Sequence, residues 1–201
     1  MSLNWKKLMH NLTPTIIQHA ISGEVLMLGY MNDESIKITK NSGYVTFFSR
    51  SKKRLWTKGE TSGNRLQFIR AYEDCDKDTL LMLVLPNGPT CHKNNSTCFY
   101  PAMTDWGFLY KLEEIVKNRK CSYLKNSYTK KLYASGSKRI AQKVGEEGIE
   151  TALAAVTQNK KELINEAADL IYHLLVLLET QSLNLTNIIK CLHDRHNKII
   201  T

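Results

Sequence analysis

Cysteine is scarce in this chain and spaced in a way that rules out the commonest thiol frameworks. There are five, Cys75, Cys91, Cys98, Cys121 and Cys191, an odd number with no CxxC pair among them. That spacing fits neither a zinc ribbon nor a finger. No apolar leader with a small-residue cleavage site opens the chain, so the expectation is a reducing, cytoplasmic setting rather than a secreted, disulfide-held protein. A run of about 18 apolar residues, enough for a membrane helix, is also missing. The longest greasy stretch, Leu170–Leu178, is interrupted by Tyr172 and His173. The net charge is +9, yet no block of five or more Lys/Arg occurs. Residues 1–106 carry 13 basic against 9 acidic groups, and residues 107–201 carry 15 against 10. A charge spread so evenly argues against the concentrated patch that nucleic acid requires and leaves phosphorylated small molecules as partners.

Proline is absent after Pro101, the four present being Pro14, Pro86, Pro89 and Pro101, and the change marks a boundary. Before it, short β-rich runs alternate with Gly, Asn and Ser: Glu24–Leu28, Tyr44–Phe48, Leu66–Tyr72 and Thr79–Leu85. A short helix over Asn32–Asn41, capped by Asn32, interrupts them. After the boundary, Leu109, Leu112, Ile115 and Val116 fall at helical spacing. Ile140–Thr157, Glu162–Thr180 and Leu185–Asn197 read as further helices. The expectation is two domains: a mainly-β (α+β) domain over residues 1–106 and an all-α helical bundle over residues 107–201.

What is present in the first half is a crowd of metal-ligating side chains. Cys75, Cys91 and Cys98 are three thiols, which with a fourth position open suit a catalytic zinc better than a closed structural one. They are equally compatible with small buried hydrophobes. His92 adjoins Cys91, too close for both to ligate one ion without strain, and reads as a nearby base. Asp74, Asp76 and Asp78 alternate as residues on one face of a strand do. They offer hard oxygen ligands suited to Mg²⁺, or else form a turn with solvated acids. Cys75 would then face the other way, and one solution is that it meets Cys91 and Cys98 from a second subunit. Lys58-Gly59-Glu60-Thr61-Ser62-Gly63-Asn64-Arg65 combines two glycines, two hydroxyls and flanking cations, as a phosphate cradle or a plain hairpin loop would.

The stretches LMLGYMN (26–32), FFSRSKKRLWTKGETSGN (47–64), DCDKD (74–78) and GPTCHKNNSTCFY (88–100) resemble phosphoribosyl-AMP cyclohydrolase, in the family's order. The resemblance implies a homodimer with active sites between subunits and one zinc per chain held by Cys75, Cys91 and Cys98 from both chains. It also implies Mg²⁺ at Asp74, Asp76 and Asp78. Substrate would be bound by Lys58, Gly59, Thr61, Ser62, Gly63, Asn64 and Arg65, with His92 catalytic. In that reaction water adds to C6 of an N1-alkylated, electron-poor adenine and the N1–C6 bond breaks. Zinc would lower the pKa of the attacking water to about 7, and imidazole suits the proton transfer. His19 follows Gln18 where many members carry an acid, and it is assigned no role.

In the second half, Glu146, Glu147 and Glu150 share a helical face by their spacing, as do Glu166 and Asp169 on the next helix. The second helix is apolar over most of its circumference, with a polar stripe of Glu162, Glu166, Asp169 and His173, so it should lie at the centre of a bundle. Its acids must then meet a cation, meet Lys143 or His173 as ion pairs, or line a solvated strip. Leu109–Glu113, Ser127–Thr129, Gly136, Arg139–Glu147 and Asn165–His173 resemble phosphoribosyl-ATP pyrophosphohydrolase, a helical nucleotide pyrophosphohydrolase. The resemblance implies Mg²⁺ at Glu146, Glu147, Glu150, Glu166 and Asp169, with Glu147 catalytic. Lys138, Arg139 and Lys143 would contact phosphate, and hydrolysis would fall between the α- and β-phosphates.

Together the halves resemble the bifunctional enzymes of histidine biosynthesis, which convert phosphoribosyl-ATP to phosphoribosyl-AMP and then open its adenine ring. Gly148 stands where alanine is common, and Cys121 and Cys191 read as structural. The rival reading is a zinc-containing nucleic-acid-binding module with a helical dimerisation tail, which leaves both carboxylate clusters unexplained.

Overall fold

The computed structural model describes residues 3, 11–102, 104–120 and 127–200. The chain divides into two compact units, residues 1–108 and 109–201.

The first unit contains β1 (Thr13–His19), β2 (Val25–Met31), α1 (Asp33–Ser42), β3 (Thr46–Ser49), β4 (Arg54–Thr57), β5 (Leu66–Glu73) and β6 (Leu80–Pro86). Four strands form a mixed sheet in the order β2–β1–β6–β5, and β3–β4 form a separate hairpin. β1 pairs antiparallel with β2 and parallel with β6, while β5 and β6 are antiparallel. β1 was not expected from the sequence, although it lies between two partners. Its inward positions are Thr13, Thr15, Ile17 and His19, all buried. Three polar residues on the buried face hide the apolar alternation by which strands are recognised. The His19 ring, assigned no role above, has a structural one: Nδ1 accepts the backbone N–H groups of Ile21 (3.2 Å) and Ser22 (3.0 Å), closing the β1–β2 turn.

α1 starts where its sequence says it should. Asn32 Oδ1 accepts from Ser35 N and Ser35 Oγ accepts from Asn32 N, a reciprocal capping box. The core collects Ile17, Leu26, Met31, Val45, Phe47, Leu66, Leu80, Met82 and Val84. Gly29 is obligatory in β2, because a Cβ there would stand 2.4 Å from the Phe47 ring.

The second unit continues α2 (Asp105–Lys120), which begins at the end of the first unit, with α3 (Tyr128–Ala134), α4 (Gly136–Val156), α5 (Lys160–Thr180) and α6 (Leu185–Ile200). α4 and α5 form an antiparallel hairpin: Glu150 approaches Glu166, and Glu147 approaches His173. Val116, Leu132, Ile140 and Val176 make its core, with Tyr133 and Tyr172 packed against them. Glu113 accepts Leu185 N–H (2.7 Å), tying α2 to the start of α6.

The expected enclosure of α5 is only half met within one chain. His173, Leu175, Val176 and Leu178 are buried, but Ile164 is 69% exposed, as are Leu153 (58%) and Val156 (80%) on α4. A helix apolar on most sides needs neighbours on most sides, and the single chain supplies them only toward its C-terminal half. Among the described residues no helix is long and apolar enough to cross a membrane.

Candidate active sites

In the first unit the aspartates Asp74, Asp76 and Asp78 do not lie on a strand; of the two readings their alternation left open, strand face or turn, the turn is the one found. β5 ends at Glu73 and β6 starts at Leu80, so all three belong to the connecting turn. Lys77 takes φ 63° there. The turn has its own logic: Asp74 Oδ1 accepts the N–H groups of Asp78 and Thr79, both at 3.0 Å. Those bonds, the one from Thr79 first, hold the Asp74 carboxyl below its ordinary range. Carboxylate oxygens from the three residues still lie within 4.8 Å of one another.

Cys91 and Cys98 come together. Cys98 N–H donates to Leu26 O (2.8 Å) and Thr97 Oγ1 donates to Val25 O (2.7 Å), which fastens the segment to β2. Cys91 sits in a turn where its Sγ accepts from Lys93 N at 3.5 Å. Burial and then the Cys91 thiol push the Cys98 thiol up, and Lys58 opposes the shift. Burial in turn lowers the Lys58 ammonium, with Cys98 and Cys91 acting the other way. Cys75 is exposed. Among the described residues, one chain gathers no group containing all three thiols. His92 is exposed beside Cys91.

The Lys58–Arg65 loop follows β4 and closes on itself. Gly63 N–H donates to Gly59 O, and Thr57 N–H donates to Glu60 Oε2. Gly59 has φ 82°, and a Cβ there would meet Asn64 O at 2.4 Å, so only glycine fits. The loop walls a cleft of about 410 Å³ with Lys52, Arg54, Lys58, Thr61 and Ser62. Its acid, Glu60, is already engaged by Arg54 at 2.7 Å. A second cleft of about 290 Å³, lined by Tyr30, Phe47, Phe48 and Arg50, shares Ser49 and Trp56 with the first. Arg50 lies 3.8 Å above the Tyr30 ring. One end of this groove is cationic and rich in hydroxyls, the other aromatic. Lys52, Arg54 and Trp56 were given no role from the sequence. The signal was present in the period-two spacing of Arg54, Trp56 and Lys58 on and just past one strand.

In the second unit Glu147, Glu150 and Glu166 converge, with one oxygen of each within 4.8 Å of the others. Glu147 is buried although it is a carboxylate. Lys143 lies 3.1 Å from Glu147 Oε1 and 2.9 Å from Glu146 Oε2. Glu146 also takes Arg139 (3.0 Å) and Gln142 (2.7 Å). It is thus held by cations outside the convergent trio, and Asp169, exposed on α5, lies outside the trio as well. Hydrogen bonds to Glu146 and Glu147 raise the Lys143 ammonium, and Lys143 lowers Glu146. Glu166 is pushed up, by burial first and then by Glu150, Glu147 and Asp169. Of the three basic candidates, Arg139 and Lys143 engage acids, while Lys138 is exposed. Near Glu147, two hydrogen-bonded pairs, Tyr128–His173 and Thr129–Tyr172, meet through ring contacts. Tyr128 and His173 stand 45 residues apart, a pairing no sequence periodicity reveals. Cys191 is exposed, so no packing role supports a structural reading, and Cys121 lies outside the described residues.

Comparison with known proteins divides the chain in the same order. Residues 27–100 match the phosphoribosyl-AMP cyclohydrolase family, and residues 109–196 match the phosphoribosyl-ATP pyrophosphohydrolase family. A β-rich unit matched by the one family and a helical unit matched by the other define a two-domain, bifunctional hydrolase. Proteins named "Histidine biosynthesis bifunctional protein HisIE" align along nearly the whole chain. That of Yersinia pestis is 60% identical over 196 residues, covering 98% of this chain and 96% of the relative. That of Blochmanniella floridana is 63% identical over 198 residues (96% and 92%), and that of Escherichia coli K12 is 60% identical over 194 (96% and 95%). This chain belongs to that family, the bifunctional histidine biosynthesis proteins.

Proposed function

We propose that the helical domain hydrolyses phosphoribosyl-ATP to phosphoribosyl-AMP and pyrophosphate. The β-rich domain then opens the adenine ring of that product between N1 and C6. The observation that carries this reading is that each unit gathers its own set of ligand oxygens, Asp74–Asp76–Asp78 in one and Glu147–Glu150–Glu166 in the other.

The donor chemistry fits the metals that the family implies. Paired soft thiols, Cys91 and Cys98, suit zinc, with Cys75 of the partner subunit as third ligand in a homodimer. The two carboxylate sets suit Mg²⁺, whose charge would relieve the repulsion felt at Glu166, with Glu146 and Asp169 completing the helical set. Bound there, zinc would supply Lewis-acid activation of the water that attacks C6. His92, adjoining Cys91, would move the proton to and from that water. The cationic end of the groove, with Lys52, Arg54, Lys58, Thr61 and Ser62, would take phosphate, while Gly59, Gly63, Asn64 and Arg65 shape its loop. Trp56 and Tyr30 offer flat walls to a purine. In the helical domain Glu147 would orient the attacking water, and Lys138, Arg139 and Lys143 would meet the triphosphate. The bare apolar faces of α4 and α5 support pairing of two copies. The even positive charge then serves attraction of polyphosphates.

The test supplies phosphoribosyl-ATP to metal-stripped protein and follows both products while zinc and Mg²⁺ are restored separately. Cys91→Ser is expected to let phosphoribosyl-AMP accumulate. Glu147→Gln is expected to block pyrophosphate release yet still open added phosphoribosyl-AMP. Either substitution stopping both steps would sink the two-site assignment.

A further inference from the structure

The four-stranded sheet of the first unit has a covered face and an open one. Read across β2, β1, β6 and β5 by register, the row Met27–Ile17–Met82–Ala71 lies in the core that α1 and β3 close. The next row, Leu28–Ile16–Leu81–Tyr72, therefore points the other way. A sheet face left to water alternates to polar residues; this row is apolar from edge to edge. Leu28 is 48% and Tyr72 46% exposed, while Ile16 and Leu81 are half-buried. The polar side chains next to the row on this face have local partners. Gln18 Nε2 donates to Gly23 O (2.8 Å), and Arg70, at the rim on the edge strand β5, donates to Tyr72 Oη (3.4 Å). An apolar surface of this kind marks a docking face.

The thiols say what docks there. Cys98 is fastened beside β2, at one edge of the sheet, with its N–H on Leu26 O (2.8 Å). Cys75 lies in the turn after β5, the strand at the other edge. β2 and β5 run in the same direction, each antiparallel to the parallel pair β1 and β6. Leu26 precedes Leu28, and Cys75 follows Tyr72. The two thiols thus sit at opposite corners of the open face, and the outer strands alone are about 14 Å apart. One chain cannot join these corners. Isologous pairing through an edge cannot either, because it sets like strands together. Two open faces stacked across a two-fold axis can. We infer that the open face of the β2–β1–β6–β5 sheet is the self-association surface of the first domain, stacked on the same face of a second copy so that Cys75 of each chain reaches the Cys91–Cys98 pair of the other. The inference rests on the shared-zinc reading above and adds the surface. Exchanging opposite corners sends the axis along the other diagonal of the face. The two sheets then cross at about 90°, the orthogonal class of sheet packing. Ile16 and Leu81, at the centre of the row, meet their own copies at the axis.

The experiment uses the full chain. Leu81→Lys and Leu81→Glu each set like charges against one another at the axis. Each alone is expected to lose opening of added phosphoribosyl-AMP by about tenfold or more and to keep pyrophosphate release. Mixed and allowed to exchange subunits, the two variants meet as opposite charges and should recover about half of native ring opening or more. A fault confined to one chain's own fold is not repaired by mixing. A second measurement depends neither on those variants folding nor on zinc. The photoreactive residue p-benzoylphenylalanine, a ring for a ring, is incorporated at Tyr72. Isotope-labelled and unlabelled chains are mixed and irradiated with and without chelator, and interchain products are mapped by mass spectrometry. The expected products join one chain to residues 13–31 or 80–86 of another, within the span of β1, β2 and β6. Crosslinks confined to one chain, reaching only the helical domain of another, or absent altogether would overturn the inference. Zinc lost from Cys75→Ser while crosslinks form only elsewhere would overturn the face and leave the shared zinc standing. Zinc retained by Cys75→Ser would remove the shared zinc, and the inference with it.

Discussion

Glu166 shows what an unrelieved charge does to a single residue. Its carboxyl is pushed up by burial and by the neighbouring carboxylates Glu150, Glu147 and Asp169. In the metal-free protein the folded state therefore holds the Glu166 proton more tightly than the unfolded chain does. Stability from this group is fully present below the ordinary glutamate range, about 4.3, and is lost as pH rises through the elevated folded value. Glu166→Gln is thus expected to raise the melting temperature of the chelator-treated protein above neutrality and to leave it unchanged in acid. Adding Mg²⁺ should reverse the order, stabilising the native chain and not the variant. A melting temperature insensitive to Mg²⁺ in both proteins would remove the electrostatic reason for a cation at the trio. Lys143 cannot fill that role alone, because its ammonium is shared between Glu146 and Glu147.

Among the elements, α4 carries the clearest local cost. Gly145 and Gly148 both lie within its helical span, and glycine in a helix interior is about 1 kcal/mol worse than alanine. A Cβ at Gly148 would meet Leu170 Cδ1 at 4.0 Å, ordinary contact distance. Gly148→Ala should therefore stabilise the helical domain by about 1 kcal/mol, read as a higher urea midpoint at unchanged m. A lower midpoint would mean that the α4 face is closed by a neighbour with no room for a methyl group. α1 was legible because its start is written locally in Asn32, whose side chain accepts Ser35 N–H, and α5 because apolar residues cover most of its helical circumference, although its Asn159 cap, which accepts Glu162 N–H, was not read. β1 and α3 were not, since the buried positions of each include threonines, Thr13 and Thr15 in one and Thr129 in the other. Such side chains become inward-facing only once a sheet or a helix pair closes over them.

At the scale of the whole molecule, the proposed zinc needs two copies of the chain, because one copy gathers no group of all three thiols among its described residues. Cys75→Ser and Cys91→Ser should each abolish ring opening alone. Mixed and allowed to exchange subunits, they should recover roughly a quarter of native activity, since half of the dimers are mixed and each has one intact site of two. No recovery in a mixture shown to contain mixed dimers would place all three ligands in one subunit. Residue types and spacing were enough to determine the order of the two domains and the capped start of α1, because such signals are local and chemical. The sequence alone did not decide that the aspartates share a turn rather than a strand face, or that Arg139 and Lys143 engage Glu146. Nor did it decide that Lys58 lies against Cys91 and Cys98, or that Tyr128 reaches His173. Each depends on which distant segments pack together, and packing is selected by the burial of the whole core, of which any one stretch of sequence holds only a part.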